Sequence, residues 1–268
     1  MKALARCLLA VYDCTVFYLG VIEFVLLSML WSALAGLLHM ILPRELGTRV
    51  GRYGIMMGFR ILLASLSLSG RFRFDLKALD ALRNERGLII APNHPTLWDA
   101  VLMASRLPDV ACIMKAAIVN DIFVGGGARL ARYIRNDSIR SMIHLAIDEL
   151  RNGGNVLLFP EGTRTVAPAR IGELRGSIGV IASRAHVPVQ TVLAETDSPF
   201  LTKGWPFFKK PRMPVHYQVR LGRRFDAPEN SAALVAAMSA YFEDTLAAEP
   251  IRSIVSADSE SAHEGYAK

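Results

Sequence analysis

A histidine and an aspartate lie five positions apart in the run Asn93–Asp99 (NHPTLWD), directly after an apolar stretch. Residues at this spacing do not share a face of an ideal helix. Pro95 predicts that His94 lies on a turn just before a helix that contains Asp99. The Asp99 carboxylate could then orient the imidazole and leave one nitrogen free as a general base. A structural histidine before a helix whose dipole favours an acidic residue gives the same pattern, so the pair alone is a weak signal.

A second polar motif, Phe159–Arg164 (FPEGTR), also follows a buried apolar run. Gly162 allows a tight turn, Thr163 offers a hydroxyl donor, and Arg164 presents a planar set of donors suited to phosphate. The alternative interpretation of this motif is an ordinary turn at the end of a strand, with a solvated arginine. Two polar motifs at the carboxyl ends of strands in one parallel sheet would meet at the same edge, which favours a shared site.

The elements that must position these motifs are readable from residue 87 onward, where short apolar runs alternate with longer amphipathic ones. The predicted strands are Gly87–Pro92, Val110–Met114, Asn155–Phe159, Val187–Leu193 and Val215–Leu221. The predicted helices are Leu97–Arg106, Val119–Ala131, Ser138–Arg151, Ile178–Ala185 and Ser231–Ala247. This alternation predicts an α/β fold with a mostly parallel sheet flanked by helices.

The N-terminal part is apolar over Thr15–Leu42, which is long enough to cross a bilayer and ends at Pro43. A second apolar stretch, Tyr53–Ser69, follows it. A cleaved signal peptide, a true span and a helical pair dipping into one leaflet are the three interpretations, and a membrane anchor of either of the last two kinds is favoured. The arginines after Pro43 outnumber the basic residues before the apolar run, which predicts a cytoplasmic domain on the inner membrane.

These observations divide the chain into N-terminal membrane-associated helices over residues 1–70 and an α/β domain over 71–252. Residues 253–268 are rich in Ser, Ala, Asp and Glu, which predicts a disordered tail.

The composition favours anionic lipid partners. The net charge is +7, hydrophobic residues make up 52%, and the mean hydropathy is +0.29. The run Lys203–Arg212 mixes cations with aromatic rings, which suits either a membrane surface or a proline-stiffened loop.

Several other classes of site are disfavoured by the sequence. No nucleic-acid motif accompanies the run Lys203–Arg212, and the three cysteines have no metal-ligand spacing. No Gly-Lys-Ser/Thr follows the cluster Gly125–Gly127, and no Gly-x-Ser-x-Gly elbow occurs, which argues against a nucleotide P-loop and a serine hydrolase.

With both motifs in hand, the chain resembles the 1-acylglycerol-phosphate acyltransferase family. Asn93–Asp99 is similar to the family's first block, Phe159–Arg164 to its third, and Val187–Val189 to the start of its fourth. The resemblance implies that His94 is the base and Asp99 its partner. It also implies that Glu161, Gly162 and Arg164 contact the phosphate of the acceptor, and that a helical pair rests in the membrane.

The second block is degenerate. Lys115 and the run Tyr133–Asp137 resemble it, but Asn136 stands where the family usually has an arginine that holds the acceptor. Arg135, Arg132 or Arg129 could supply that cation, although surface arginines on a helix are more often simply solvated. The departure concerns the acceptor more than the reaction.

The resemblance implies a membrane-associated O-acyltransferase that moves a fatty-acyl group from an acyl-CoA or acyl-carrier-protein thioester to a lysophospholipid hydroxyl, with 1-acylglycerol 3-phosphate as the leading acceptor. No metal or other cofactor is required by this chemistry. The expected substrate-binding residues are Lys115, Arg135, Glu161, Gly162, Thr163 and Arg164. A different lysolipid or specialised lipid acceptor and a non-catalytic lipid-binding protein of the same fold are the alternatives.

Overall fold

Two long helices precede the sheet in the computed structural model, which describes residues 2–122, 124–166 and 169–248. Helix α1 spans Lys2–Ile41 and helix α2 spans Arg44–Leu68. Pro43 separates them because its ring fixes the backbone before the first turn of α2. Among the described residues, α1 alone is long and apolar enough to cross a membrane, and few of its apolar residues are buried.

The acidic residues inside the apolar α1 find partners on the next elements. Asp13 is buried and pairs with Arg71 at 2.6 Å, and Glu23 accepts a hydrogen bond from the Ser65 hydroxyl at 2.5 Å. The Asp13 contact joins α1 to the turn after α2, and the Glu23 contact joins α1 to α2, so both carboxylates have partners within the protein.

A seven-stranded mixed sheet forms the centre of the molecule, with strand order β1-β7-β6-β2-β5-β3-β4. Its strands are β1 Phe72–Asp75, β2 Ile89–Pro92, β3 Val110–Met114, β4 Ile134–Arg135, β5 Asn155–Leu157, β6 Val189–Thr196 and β7 Val215–Phe225. The strands β6, β2, β5, β3 and β4 are mutually parallel, while β7 runs antiparallel to β6 and parallel to β1. The predicted α/β fold with a mostly parallel sheet is confirmed.

Helices pack on both faces of this sheet over two apolar clusters. They are α3 Asp99–Ala104, α4 Ala116–Asn120, α5 Gly125–Leu130, α6 Ile139–Arg151, α7 Ser177–Ala185 and α8 Ser231–Ala248, with a 3-10 turn at Lys77–Leu82. Ser138 caps α6, because its hydroxyl accepts a hydrogen bond from the Ser141 amide at 3.3 Å. Helices α1 and α2 cover the cluster that also contains Trp98, which brings the N-terminal helices beside the loop after β2.

Several predicted boundaries were wrong. The helix predicted over Val119–Ala131 is divided into α4 and α5, because the Asp121 carboxylate binds the Val124 amide at 3.0 Å and forms a turn. The fourth predicted strand begins at Val189 rather than Val187, since the Val187 amide bonds to the Ala182 carbonyl and completes the end of α7. The short strands β1 and β4 were not predicted. The tail prediction, 253–268, lies outside the described residues, and the division at residue 70 stays a prediction.

Candidate active site

Two loops meet at the carboxyl edge of the parallel strands. The loop after β2 carries His94, and the loop after β5 carries Glu161 and Arg164. Strands β2 and β5 are neighbours in the sheet, with Ile89 paired to Val156. The two motifs that lie far apart in sequence therefore leave the sheet side by side, as the sequence predicted.

His94 and Asp99 form a hydrogen-bonded pair. The Nδ1 atom of His94 lies 2.9 Å from Oδ2 of Asp99. An ionised Asp99 requires a proton on Nδ1, which leaves Nε2 as the basic nitrogen in the neutral ring. Within the part of the chain that the structure describes, Nε2 has no hydrogen-bond partner, and the imidazole is 15% exposed. The geometry therefore suits a general base whose Nε2 atom is accessible at the carboxyl edge of the sheet.

The carboxylate of Asp99 is held from several sides. It accepts hydrogen bonds from the Thr96 amide at 2.8 Å and from the Thr96 hydroxyl at 2.7 Å, in addition to its contact with His94. The side chain is only 1% exposed, and this burial raises the pKa of Asp99, while the bonds from His94 and Thr96 oppose the shift. Thr96 thus fixes the rotamer of the group that orients the base.

Glu161 is fully engaged by protein donors. One oxygen accepts the backbone amide of His94 at 2.8 Å, and the other accepts the Thr165 hydroxyl and the Gly172 amide, both at 2.7 Å. The Thr165 amide in turn donates to the His94 carbonyl at 2.8 Å. Glu161 is 2% exposed. The expectation that Glu161 contacts the acceptor phosphate does not fit this geometry, since a buried anion with its acceptors occupied ties the two loops together instead.

Arg164 faces the loop after β6. Its Nη1 atom donates to the carbonyl oxygens of Leu201 and Thr202 at 3.0 and 3.1 Å, and Leu201 also accepts the amide of Leu97. Two of its donor contacts are thus internal, and the half-buried guanidinium retains further N–H groups. Gly162 adopts a φ of +67°, which only glycine reaches without strain, and it leaves Thr163 exposed at the turn.

The remaining predicted substrate residues lie farther along the same edge. Lys115 follows β3 and is exposed, and Arg135 ends β4 and pairs with Asp137 at 3.6 Å. In the strand order β2-β5-β3-β4, at about 4.8 Å per strand, Arg135 starts about 14 Å from the β2 position. Both cations share the edge with His94, and neither is in contact with it among the described residues.

The other two arginines considered for this role face elsewhere. Arg129 donates to the carbonyl oxygens of Val119 and Asp121. Arg132 lies at the opposite, amino edge of the sheet, in a groove that also contains Asp109. The structure therefore leaves Arg135 and Lys115 as the second-block cations on the His94 edge.

Two features of the site were not predicted. The ring of Phe159 stacks on His94 with centroids 4.0 Å apart. An apolar cavity of about 90 Å³ lies beside Leu97 and Trp98 and is walled by α1, α2 and the loop after β6. The contact of Phe159 with His94 could have been predicted, because Phe159 belongs to the FPEGTR motif. The cavity could not, because it depends on helix packing that no local sequence pattern encodes.

The described residues contain no group of three or more histidine, cysteine, aspartate or glutamate side chains arranged to hold a metal ion. The cysteines are free, and Cys112 is buried in β3.

Known proteins match both the fold and the domain. The family model described as Acyltransferase matches residues 73–195. A curated 1-acyl-sn-glycerol-3-phosphate acyltransferase of Pseudomonas aeruginosa is 24% identical over 197 residues, which cover 69% of this chain and 73% of that relative. The crystal structure of the 1-acyl-sn-glycerophosphate acyltransferase PlsC from Thermotoga maritima aligns with a TM-score of 0.64 at 18% identity, covering 92% of this chain and 96% of that one.

The match to the Acyltransferase model and the similarity to a curated acyltransferase support an acyltransferase enzyme. The family model and the curated relative support the resemblance of this chain to the 1-acylglycerol-phosphate acyltransferase family, and the structural neighbour shares its fold. The resemblance seen in the sequence motifs is thereby confirmed.

Proposed function

We propose that this chain is a membrane-associated O-acyltransferase that transfers a fatty-acyl group from an acyl-CoA or acyl-carrier-protein thioester to the free hydroxyl of 1-acylglycerol 3-phosphate. The observation that carries the proposal is the His94–Asp99 pair on the carboxyl edge, whose loop is held by Glu161 and contributes Leu97 and Trp98 to an apolar cavity. The names and activities of the relatives support the same substrate class.

His94 acts as the general base in this proposal. Its Nε2 takes the proton of the acceptor hydroxyl as that oxygen forms a bond to the thioester carbonyl carbon. Asp99 stabilises the imidazolium that results. The tetrahedral intermediate then expels the thiolate as the C–S bond breaks, and the imidazolium returns the proton to the sulfur. The acyl group moves directly, so no covalent acyl-enzyme is needed.

The apolar cavity beside Leu97 and Trp98 offers a binding position for the start of the acyl chain. It is lined by apolar residues from several elements, including Phe17 and Phe24 of α1, Leu66 of α2 and Leu201 of the loop after β6. Because Leu97 and Trp98 of its wall lie three and four residues after His94, a thioester carbonyl at the base would direct its chain towards the helices. The exposed apolar face of α1 suits delivery of such a chain from a bilayer.

Membrane attachment and orientation belong to the same proposal. The apolar α1 is the anchor, and the arginines at the start of α2 favour the cytoplasmic side of the inner membrane for the catalytic domain. Phe208, which is 67% exposed, and the lysines around it provide a second contact with anionic headgroups.

A second candidate changes only the acceptor. Asn136 replaces the usual second-block arginine, which favours a different lysolipid or a specialised lipid acceptor. Mass spectrometry of products formed from a panel of lysolipids and one acyl thioester separates the two candidates. Preferred conversion of 1-acylglycerol 3-phosphate supports the first candidate, and preferred conversion of another lysolipid supports the second. Lipid binding without any product contradicts both.

A further inference from the structure

A long groove lies between α1, α2 and the amino ends of β2, β3 and β5. Its volume is about 1750 Å³, and its lining includes Arg86, Asp109 and Gly154, each of which precedes one of those strands. His94 and Glu161 follow β2 and β5, at the other edge of the same sheet. The groove is therefore separate from the candidate active site, with the length of the strands, about 10 Å, between them.

One part of the groove is an apolar wall built by the two N-terminal helices. Its apolar side chains are Leu27, Leu30, Trp31, Leu34, Val50, Tyr53, Met57 and Ile61. Leu30 is 69% exposed and Ile61 50% exposed, so the wall is open along its length. An open apolar surface beside a long apolar helix suits hydrocarbon.

The other part of the groove is cationic. Arg44, Arg49 and Arg132 are exposed there, and no carboxylate among the described residues pairs with them. Arg132 adopts a φ of +54°, in the left-handed region. Arg44 and Arg132 line the same groove, and partial burial and the neighbouring guanidinium of Arg44 lower the pKa of Arg132. An anion bound between them would relieve this repulsion.

Buried donors without partners lie in the groove lining. The Nη1 atom of Arg52 binds Asp109 and Glu149 at 2.8 and 2.7 Å, but its Nη2 atom has no hydrogen-bond partner, although the side chain is only 4% exposed. The indole N–H of Trp31 is likewise buried and unpaired. Five arginines and three carboxylates line the groove, so its formal charge is +2.

We propose that this groove binds one anionic glycerophospholipid, with its phosphate between Arg44, Arg49 and Arg132 and its acyl chains along the apolar wall of α1 and α2. The phosphate accounts for the converging arginines, since guanidinium groups bind phosphate with paired hydrogen bonds. The acyl chains account for the apolar wall, which a free phosphate would leave uncovered. The bound lipid is not the acceptor of the reaction, because the groove opens at the opposite edge of the sheet from His94.

The test uses the full chain in detergent micelles without an acyl donor, so its outcome does not depend on the proposed reaction. The probe is dioleoyl phosphatidylglycerol, with dioleoyl phosphatidylcholine as the neutral comparison, and bound lipid is counted by native mass spectrometry. The double variant Arg44→Gln/Arg132→Asn removes the converging charges, and asparagine tolerates the left-handed backbone of Arg132. We expect it to bind phosphatidylglycerol about tenfold or more weakly, with phosphatidylcholine unaffected.

A matched control removes two exposed arginines from helices outside the groove, Arg140→Gln/Arg184→Gln. It should retain phosphatidylglycerol within about twofold of the unmutated chain. A second variant, Leu30→Glu, places a carboxylate on the exposed apolar wall and should also weaken the binding. Equal loss in the control would show diffuse charge attraction only. Unchanged binding by both groove variants, or full displacement of the lipid by millimolar inorganic phosphate, would overturn the proposal.

Discussion

Two histidine–aspartate pairs lie on this sheet, and they differ in which partner reaches the surface. In the first pair, the Asp99 side chain is 1% exposed and the His94 imidazole 15% exposed. In the second, the His216 imidazole is 5% exposed and the Asp197 carboxylate 26% exposed, with their Nδ1 and Oδ2 atoms 2.5 Å apart. The same chemical pair can therefore present a base to substrate or lock a base inside the protein.

The two histidines also differ in where they lie on the backbone and in what binds their amides. His94 lies on a loop whose amide is held by Glu161, a residue from another strand's loop. His216 lies within β7, and its amide donates to the same Asp197 carboxylate that binds its ring, at 2.9 Å. In the second pair, both the ring and the amide of the histidine bind one carboxylate, and this contact joins the end of β6 to the start of β7. The comparison indicates that a buried carboxylate behind an exposed imidazole, rather than a histidine–aspartate contact as such, distinguishes the pair that we propose to be catalytic.

Among the variants that test this contrast, Asp99→Asn should have the largest effect on kcat. The amide no longer stabilises the imidazolium and allows the wrong tautomer, so kcat should fall about 10³–10⁴-fold. Asp197→Asn is the matched control and should keep kcat within about threefold. Steady-state acyl-transfer rates of the two purified variants measure the difference, and equal losses would remove the distinction between the pairs.

The same Asp99 variant gives a prediction about pH and stability. Burial raises the pKa of Asp99, so ionising it in the folded protein is unfavourable relative to the unfolded chain. The stabilising contribution is complete below the unfolded value of about 4 and is lost as the pH rises through the higher folded value. The melting temperature of the unmutated protein, relative to Asp99→Asn, should therefore fall from about pH 4 towards neutral pH. A difference that stays constant over this range would contradict the prediction.

Glu161→Gln should have the next largest effect. Glutamine replaces one of the two acceptor oxygens with an NH₂ group, which opposes an existing donor from His94, Thr165 or Gly172. Misplacing the His94 loop should lower kcat about 10–100-fold, while the acceptor KM changes by less than about threefold. The opposite result, a large rise in the acceptor KM with kcat intact, would restore Glu161 as a phosphate contact.

Arg164→Ala should act mainly on the acceptor. Its loss removes a cation from the edge that carries His94 and should raise the acceptor KM about tenfold, with a much smaller change in the thioester KM. Arg140→Ala, an exposed arginine on α6, is the control. Full substrate-saturation curves for both substrates provide the measurement. Equal rises in both KM values would indicate that Arg164 only holds the carbonyl oxygens of Leu201 and Thr202.

His216→Ala should change activity least and stability most clearly. Removing the buried imidazole leaves Asp197 without its ring partner, which should cost about 1–3 kcal/mol of unfolding free energy. The rate of acyl transfer by the folded protein should stay within about threefold of the unmutated rate. Denaturant unfolding checks the first figure and the initial rate checks the second. A stable but inactive variant would make His216 part of the catalytic site.

The sequence predicted the central strands because their residues are buried on both faces and read as continuous apolar runs, as in Ile89–Pro92 and Val110–Met114. It also predicted which loops would meet, since parallel strands share one carboxyl edge. It did not predict β4, because a two-residue strand has no periodicity, or β1, which pairs with a segment far away in the chain. The partners of Glu161 were not predictable either, because they include a backbone amide 67 residues away, that of His94, and the amide of Gly172, which depends on how the loop after β5 folds.

The most direct test of the account is the initial rate of acyl transfer from a thioester to 1-acylglycerol 3-phosphate by purified His94→Ala, measured beside the unmutated protein and His216→Ala. General-base catalysis predicts that His94→Ala loses at least about 10³-fold in rate while folding normally, and that His216→Ala keeps most of its rate. If His94→Ala transfers acyl groups within a few-fold of the unmutated rate, His94 is not the base.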